Sequence, residues 1–443
     1  MKKCISLLLA CALAVVCLTG CQSAKFVKLE EDTELTGELR VYFYQTDPGQ
    51  NPFYGDVFGN FDQANPELDL QKTVFHDAQQ MMDTLVKDQT EGTLPDVLLF
   101  HEYDCLDLAK LAKDGFLMDL SGYLADDQTY QDGDYYKAVM TAGQFERKLY
   151  YLPFTFHTPV FWSSQEKMRE TGLTQQLAEC ADSSAMYQCV LRFLQEQPCA
   201  PDGFSFYMFG SATDIFGRMN NAGYPMIEKD TYRVLHYDQP EVQQAVDLEI
   251  QMYHILKRAY DEEYYSRSMT AIMQDTLLLY SAIGLSAKEL REYDAMYKIG
   301  GETMTVFGLP LMDDRDGYGA TVNSCGAVTA EAKNPLAGYA FLRYMMDCKR
   351  LYPFGFSINR TQTLEAISKN DRPYVDELMS ILDNVTAANL YAPQGARDAA
   401  AAVFFRGDYE IGSSSFNEYM RQFEDAVEFY LENGVAPQSD NAV

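Results

Sequence analysis

The stretch that decides the fold is LYYLPFTFHTPVFW, residues 149–162. It is an almost unbroken apolar and aromatic run that is interrupted by Pro153 and Pro159 and carries one histidine, His157. Each proline removes a backbone donor that a central strand would use, so the run is not typical of an ordinary central strand. We interpret it as an extended segment that passes between two packed bodies and lines the cleft between them.

Length and composition favour a folded protein with two globular units. The 443 residues exceed the usual size of one hydrophobic core. Hydrophobic residues make up 47% and aromatic residues 13%, which is enough to build cores and too much for a disordered chain. The formal charge is −30 at pH 7. Such a surface repels phosphate backbones and anionic lipid headgroups, so nucleic acid is not expected as a partner.

The N-terminus has the organisation of a bacterial export signal. Two lysines precede an apolar region, residues 5–16, which is followed by LTGC at 18–21. The LTGC sequence resembles a lipobox, which implies that Cys21 is lipidated and becomes the mature N-terminus. We therefore expect a lipoprotein signal peptide at 1–20, a lipidated tether at 21–37 and a location on the outer face of the cytoplasmic membrane. A plain secretory signal is the alternative.

Six cysteines remain beyond the signal and Cys21: Cys105, Cys180, Cys189, Cys199, Cys325 and Cys348. They form no CxxC pair and no Cys/His cluster with zinc spacing. A location outside the cytosol permits disulfides, although a protein of this size does not require them, and buried thiols are the equal alternative. A local bridge among Cys180, Cys189 and Cys199 is one arrangement that their short separation in sequence allows.

Strands alternate with helices in the first third of the chain. ELRVYFY at 38–44 predicts a strand, and the apolar face of residues 77–89 predicts an amphipathic helix with Asp77 as its N-cap. Alternation of this kind implies βαβ units and a mainly parallel sheet. Further along, Asn334 is expected to cap a helix over 335–346, and another helix is predicted over 373–388.

A series of motifs runs through most of the chain. They are GELRVYFYQ (37–45), FGNFDQANPEL (58–68), LPDVLLF (94–100), LAKDGFLMDLSGYL (111–124), LYYLPFTFHTPVFWSS (149–164), VFGLP (306–310), NPLAGYAFLRYMMD (334–347) and FGFSINR (354–360). Their order and spacing over about residues 38–365 resemble the extracellular solute-binding proteins of ABC importers, and within them the carbohydrate-type group that includes maltose-binding protein. The chain departs from that group at 269–284, where a lysine- and glycine-containing strand before a tryptophan loop is replaced by MTAIMQDTLLLYSAIG.

The resemblance implies an α/β fold of two lobes, periplasmic-binding-protein-like, with a ligand cleft between them. Carried over to this chain, lobe one takes 38–150 and 310–347, and lobe two takes 151–309 and 350–443. The chain would cross between the lobes near 149–157, 306–312 and 347–353, and each of these segments or its edge carries a proline. Short stiff segments of this kind can carry the hinge torsions of cleft closure.

The resemblance also implies a function. It predicts a lipid-anchored monomer that captures a small-molecule solute, a sugar or oligosaccharide, by cleft closure and delivers it to ABC permease subunits in the membrane. No cofactor and no covalent chemistry are implied. Two alternatives differ in class: a surface glycan-processing lipoprotein enzyme, and a sensory binding lipoprotein that presents its ligand to a membrane receptor.

A saccharide site needs flat aromatic faces and planar polar groups at the C-terminal ends of strands that face the cleft. The candidates for ligand binding are Tyr44, Gln45, Asp47, His101, Glu102, Tyr103, Phe156, His157, Tyr207, Asn323 and Phe356. Trp162, the only tryptophan, fits better in the core of lobe two than in the cleft.

Signatures of enzymes and metal sites were not found. His101 and Glu102 lack the second histidine of a HExxH motif, and neither GxSxG nor a phosphate-binding loop occurs. The acidic loops 126–134 and 313–316 lack the register of a calcium loop. The 65 acidic residues leave a carboxylate pair of the glycosidase kind open, without positive evidence for one.

Overall fold

The computed structural model describes most of the chain. The described residues are 34–44, 51–101, 107–196, 205–208, 219, 222–229, 231, 233–236, 240–259, 277–281, 286–312, 316–348, 355–367, 374–390, 394–404, 412 and 416–433. Within them the chain forms two principal β-sheets with helices packed against both. None of the described helices is long and apolar enough to span a membrane.

The elements follow in chain order. The strands are β1 (Gly37–Tyr44), β2 (Leu68–Phe75), β3 (Val97–His101), β4 (Gln144–Phe145), β5 (Lys148–Leu149), β6 (Leu152–His157), β7 (Val160–Ser164), β8 (Ser205–Met208), β9 (Leu277–Ser281), β10 (Met304–Gly308), β11 (Tyr318–Val328), β12 (Phe356–Ser357) and β13 (Val385–Leu390). The helices are α1 (Asn51–Ala64), α2 (Ala78–Glu91), α3 (Leu108–Lys113), α4 (Ser121–Asp126), α5 (Lys137–Ala142), α6 (Gln165–Glu170), α7 (Leu173–Ala178), α8 (Ser183–Glu196), α9 (Pro240–Ala259), α10 (Ala287–Ile299), α11 (Pro335–Met346), α12 (Arg360–Ile367), α13 (Tyr374–Asp383), α14 (Gln394–Phe404) and α15 (Phe416–Asn433).

The larger sheet has the order β12-β6-β11-β3-β1-β2, and β13 pairs with the first half of β11. β1, β2 and β3 are parallel, as the alternation of strands and helices predicts. β11 enters from far along the sequence and runs antiparallel to both β3 and β6. The sheet is therefore mixed, and β6 points in the same direction as β1 and β3.

The apolar run at residues 149–162 contributes a strand, β6, to this sheet in spite of its first proline. β6 lies between β11 and the two-residue β12, so it has a neighbour on each side. The register of β11 shifts between Ser324 and Cys325, and Cys325 is the partner of Pro153. A local irregularity of this kind accommodates a residue that has no backbone donor. Pro159 falls outside the strand, in the two-residue link between β6 and β7.

Two predicted helix caps are confirmed. The backbone N–H of Gln80 donates to Asp77 Oδ1 at 2.6 Å, and α2 begins at the next residue after Asp77. The backbone N–H of Ala337 donates to Asn334 Oδ1 at 3.3 Å, and Pro335 occupies the first turn of α11. Both caps satisfy amide groups that a helix start would otherwise leave without partners.

The helix predicted over 373–388 was only half right. α13 ends at Asp383, and residues 385–390 form β13, which pairs in parallel with β11. The carbonyl of Asn384 accepts a hydrogen bond from the backbone N–H of Tyr318 at 2.9 Å and thereby starts the pairing. Val385 and Thr386 are β-branched, so a free strand edge outweighs the helical preference of the alanines that follow.

The smaller sheet has the order β10-β7-β9-β8. Trp162 in β7 is fully buried, with its ring centroid 5.0 Å from that of Tyr293 on α10. The prediction that the only tryptophan serves as core is confirmed. Trp162 belongs to the first hydrophobic core, which contains residues of both sheets. A second core joins α9, α14 and α15 through residues such as Val246, Phe404 and Phe423.

The chain passes between the two sheets at definite points. It leaves the larger sheet after His157 and enters the smaller sheet at Val160, and it returns between Gly308 and Tyr318. The sequence grouped β6, β12 and β13 with the second lobe, whereas their hydrogen bonds pair them within the larger sheet. The segment 347–353 has α11, which packs on the larger sheet, before it and β12 after it.

Candidate ligand-binding site

Several candidate residues converge on one edge of the larger sheet. β1, β3 and β6 all point toward this edge, and they end at Tyr44, His101 and His157. Ser324 in β11 is the register partner of both His101 and Thr155. The C-terminal ends of β3 and β6 therefore flank the middle of β11, and β1 ends next to β3 at the same edge. This is where ligand groups are commonly placed in open α/β sheets.

His157 and Asn323 form a hydrogen-bonded pair at this edge. His157 Nδ1 lies 2.6 Å from Asn323 Oδ1, and both side chains are more than nine-tenths buried. Because an amide oxygen can only accept, Nδ1 carries the proton and Nε2 is the acceptor of the neutral ring. The pair therefore holds one tautomer of His157 at the start of the passage into the smaller sheet.

Burial keeps this histidine uncharged. Removal of the imidazole from water lowers the pKa of His157 to about 4, and the hydrogen bond to Asn323 offsets only part of that effect. The ring is therefore neutral across the physiological range. The two side chains together present neutral hydrogen-bonding groups and no formal charge.

The amide nitrogen of Asn323 has an unusual environment. Among the described residues, Asn323 Nδ2 is buried and lacks a hydrogen-bond partner. A Cβ built on Gly355 would lie 2.3 Å from this nitrogen and 2.5 Å from the carbonyl oxygen of Phe156, and Gly355 has a φ of +71°. Only glycine meets both conditions without strain, so it keeps the space beside the amide open.

Polar residues of the passage are tied to β11. Thr155 Oγ1 lies 2.7 Å from Ser324 Oγ, and the Thr158 hydroxyl donates to the carbonyl of Gly319 at 2.7 Å. The backbone N–H of Leu309 donates to the carbonyl of Pro159 at 3.2 Å, which joins the outgoing and returning passages. Sequence reasoning did not select these threonines, although a hydroxyl inside an apolar run is a signal that could have found them.

Phe156 and Phe356 form the packed side of the site. They are register partners in β6 and β12, and both are at most 1% exposed. The ring of Phe156 meets that of Tyr136 at 4.9 Å in an edge-to-face arrangement and that of Phe356 at 6.1 Å. In this structure both rings lie in the core behind the His157–Asn323 pair. Tyr44 is likewise buried, at 3% exposure.

The other candidates are covered only in part. His101 ends β3 and Tyr207 lies in β8, and the structure describes the backbone but not the side chain of each. Gln45, Asp47, Glu102, Tyr103 and the predicted lipidation residue Cys21 fall outside the described residues. In the part of the chain that is described, no group of three or more His, Cys, Asp or Glu side chains could hold a metal ion.

One lysine connects the two hydrophobic cores. Lys229 follows Met226, which is buried in the second core, and its Nζ donates to the carbonyl of Ala142 at 2.5 Å. The same Nζ lies 4.5 Å from the centre of the Phe145 ring. Ala142 and Phe145 belong to the first core. Lys229 therefore joins the two hydrophobic cores with a charge-assisted hydrogen bond and a cation–π contact.

Comparison with known proteins identifies a family model and several solved structures that this chain resembles. Residues 47–183 match the family model described as bacterial extracellular solute-binding protein. A search of curated protein sequences found no match. Solved structures match over nearly their whole length, among them the sugar-binding protein MalE from Xanthomonas citri, with a TM-score of 0.65, 13% identity, and 90% of this chain and 98% of that chain covered.

Two further structures share the fold. The ABC substrate-binding protein Lmo0181 from Listeria monocytogenes, in complex with cycloalternan, has a TM-score of 0.55 and 12% identity, with 90% of this chain and 99% of that chain covered. The GacH receptor of Streptomyces glaucescens has a TM-score of 0.53 and 16% identity, with 90% and 100% covered. Sequence and fold thus agree with the resemblance: residues 47–183 match the extracellular solute-binding family model, and the chain shares the two-domain periplasmic-binding fold of these structures.

Proposed function

We propose that this protein binds a sugar or oligosaccharide in the cleft between its two sheets and delivers it to an ABC permease. The observation that carries the proposal is the neutral His157–Asn323 pair at the sheet edge where β1, β3 and β6 end. A solute that is rich in hydroxyl groups offers both donors and acceptors to such a pair. A charged solute would find no opposite charge in it.

The wider setting supports the same class of solute. The formal charge of −30 disfavours the approach of anionic solutes. The neighbours in fold include a sugar-binding protein, a protein solved with cycloalternan and a receptor solved with acarbose. Their identity to this chain is at most 16%, so they support the class of solute through the fold and name no particular sugar.

The proposed mechanism is cleft closure. A solute that contacts both bodies only when the cleft is closed shifts the population toward the closed state, which the permease then recognises. The link 158–159 and the described residues 309–312 would act as the hinge, because the chain passes from one sheet to the other at both places. In this proposal β6 and β12 move with the larger sheet.

The test of the solute class is a thermal-shift screen of the purified protein against neutral oligosaccharides, peptides and polyamines. A ligand that binds only the folded state raises Tm, and the stabilisation grows with the logarithm of its concentration once that concentration exceeds Kd. We expect a concentration-dependent rise with at least one oligosaccharide and none with peptides or polyamines. A rise with a peptide or polyamine alone would reject the sugar proposal.

Variants then locate the site. Asn323→Ala should weaken calorimetric affinity for the sugar found in the screen by about 1–2 kcal/mol, since it removes a buried hydrogen-bonding group. Asn384→Ala is the matched control, because Asn384 is exposed and donates to the carbonyl of Ser380 on α13. Equal affinities of the two variants would remove Asn323 from the site.

Tyr103→Ala tests the predicted aromatic contact in the same assay, with an expected loss of about 1 kcal/mol.

Attachment to the membrane is a separate part of the proposal. Lipidation of Cys21 predicts that the protein partitions with membranes and enters the detergent phase on extraction. The Cys21→Ser variant should appear in the aqueous phase with its sugar affinity intact. Membrane partitioning of the variant at the wild-type level would contradict lipidation at this residue.

A further inference from the structure

Two cysteines near the junction of α7 and α8 lie against the same residue, Gln176. The thiol of Cys180 donates to the backbone carbonyl of Gln176 at 3.2 Å, and the thiol of Cys189 donates to Gln176 Oε1 at 3.7 Å. The two thiols are close enough for each to affect the pKa of the other: Cys189 raises the pKa of Cys180, and Cys180 lowers that of Cys189 against the larger effect of burial. Both are free in this structure. This region contributes nothing to the site at the edge of the larger sheet.

The local backbone holds the pair together. α7 ends at Ala178 and α8 begins at Ser183, so only four residues connect the two helices. The backbone N–H of Cys180 donates to the carbonyl of Leu177, and Asp182 Oδ1 accepts from the backbone N–H of Ala185. The turn is thus hydrogen-bonded at each end, which fixes the ends of α7 and α8 beside the two thiols.

We propose that Cys180 and Cys189 form a disulfide when the protein meets the oxidising environment outside the cell. The family model that residues 47–183 match is one of extracellular proteins, and disulfides persist in the oxidising environment outside the cell. The site is a modification site that joins α7 to α8. It is independent of the proposed solute binding, because no candidate ligand residue lies between the two cysteines.

Exposure decides the order of the reaction. Cys180 is partly exposed, whereas Cys189 is 1% exposed. A small-molecule disulfide, which is the oxidant, therefore reacts first with the Cys180 thiolate: its S–S bond breaks, one small thiol leaves, and a mixed disulfide remains on Cys180. The Cys189 thiolate then attacks Cys180 Sγ and releases the second small thiol. The two protons lost by the cysteines pass to the two released thiolates.

The reaction should be slow at neutral pH. Burial, together with the neighbouring Cys189, raises the pKa of the Cys180 thiol to about 11. Only the thiolate attacks, and at a pH far below the pKa its fraction grows about tenfold per pH unit. The initial rate should therefore rise about tenfold from pH 7.5 to pH 8.5. An ordinary exposed thiol with a pKa near 8.5 would gain only about fivefold over the same interval.

The test uses the full chain, reduced and then exposed under native conditions to oxidised glutathione, with free thiols trapped by an alkylating reagent. We expect peptide mapping to find Cys180 joined to Cys189 and to find Cys325 and Cys348, which are buried in the other body, still alkylatable after unfolding. Cys199→Ser should form the same bridge. A bridge from Cys180 to Cys199, a lasting glutathione adduct on wild-type Cys180, or two unmodified thiols would each overturn the proposal.

Two single variants check the order of the steps. Cys189→Ser should stop at a stable glutathione adduct on Cys180, since no second thiol is present to displace it. Cys180→Ser should leave Cys189 unmodified in the folded protein, because that thiol is covered. Rapid glutathionylation of Cys189 in the second variant would refute the assigned roles. Sugar binding should be unaffected by either substitution, so a failure here leaves the proposed function untouched.

Discussion

His157 gives the stability of the protein a specific dependence on pH. Its pKa is about 4 in the folded chain, because the ring is buried, and near 6.5 in the unfolded chain. Between these values the unfolded state binds more protons, so the free energy of unfolding falls as pH decreases. From pH 7 to pH 5 this group alone should cost about 2 kcal/mol. Urea unfolding at the two pH values should show that loss in the wild type and little of it in His157→Gln.

A second histidine provides the control for this measurement. His236 lies at the surface, where its Nε2 is 3.0 Å from Glu424 Oε2. The His236→Gln variant should keep the full wild-type difference between pH 7 and pH 5. If His157→Gln also kept that difference, the ring would not be held neutral by burial, and the interpretation of the His157–Asn323 pair would fail.

Gly355 tests the space beside Asn323. Gly355→Ala places a Cβ 2.3 Å from Asn323 Nδ2 and 2.5 Å from the Phe156 carbonyl, in a left-handed backbone with a φ of +71°. The matched variant Gly115→Ala has nearly the same backbone, with a φ of +78°, and no heavy atom within 4 Å of the added Cβ. We expect Gly115→Ala to cost about 1 kcal/mol of unfolding free energy from the backbone alone.

The steric contact should make the first variant distinctly worse. Overpacking of a buried position adds about 1–3 kcal/mol, so Gly355→Ala should lose that much more than Gly115→Ala in chemical denaturation. Sugar affinity should also fall in Gly355→Ala and stay constant in Gly115→Ala. Equal losses of stability in the two variants would show that the space beside Asn323 relaxes freely.

At the scale of elements, a buried ion pair ties α11 to the segment after α4. Arg343 Nε donates to Asp127 Oδ2 at 2.8 Å, and the same carboxylate oxygen accepts from the Tyr339 hydroxyl at 2.9 Å. The guanidinium also lies 5.4 Å and 5.3 Å from the ring centres of Tyr130 and Tyr135. Arg343→Leu would leave the Asp127 carboxylate buried without its countercharge. Loss of about 3–5 kcal/mol of unfolding free energy is expected.

An exposed pair offers the comparison. Arg360 donates to both carboxylate oxygens of Asp383, at 2.6 and 2.5 Å, but the two side chains are 49% and 31% exposed. Solvent screens this pair, so Arg360→Leu should cost less than about 1 kcal/mol. Chemical denaturation of the two variants side by side measures the difference. Similar losses would mean that burial does not set the strength of the Arg343–Asp127 pair.

The strands and helices show how much of the fold could be predicted from sequence. β1, α2 with its Asp77 cap and α11 with its Asn334 cap follow from local patterns, and the structure has them within a few residues of the predicted bounds. β13 was missed because its stability comes from pairing with β11, which is more than 60 residues away. Pairing that depends on distant residues leaves no periodic signal nearby.

The candidate site, too, has a part that sequence could predict and a part that it could not. His157 and Asn323 could be chosen from sequence, because each is a polar residue in a strand-like apolar segment. Their hydrogen bond joins residues 166 positions apart and depends on the insertion of β11 between β3 and β6. The burial of Phe156 and Phe356 behind the pair depends on the same insertion. Local sequence therefore identified residue types, and the sheet order determines which of them meet.

For the whole molecule, the balance between open and closed states should depend on Lys229. In the proposed mechanism, any contact made only in the closed state favours closure in the same way as the solute does. Lys229 contacts the Ala142 carbonyl and the Phe145 ring from a segment anchored in the second core, and we expect opening of the cleft to break both contacts. Lys229→Met keeps the apolar stem of the side chain and removes the charge and the hydrogen bond.

Loss of these contacts should shift the population toward the open state. A charge-assisted hydrogen bond and a cation–π contact together contribute about 1–2 kcal/mol, so sugar affinity should weaken about five- to thirtyfold. Small-angle scattering of the solute-free protein should show a larger radius of gyration, which saturating sugar restores. Lys288→Met is the control, since Lys288 is 62% exposed on α10 and lies 3.8 Å from Glu292 on the same helix. If Lys229→Met matched that control in both affinity and radius, the contact between the cores would not help to hold the cleft closed.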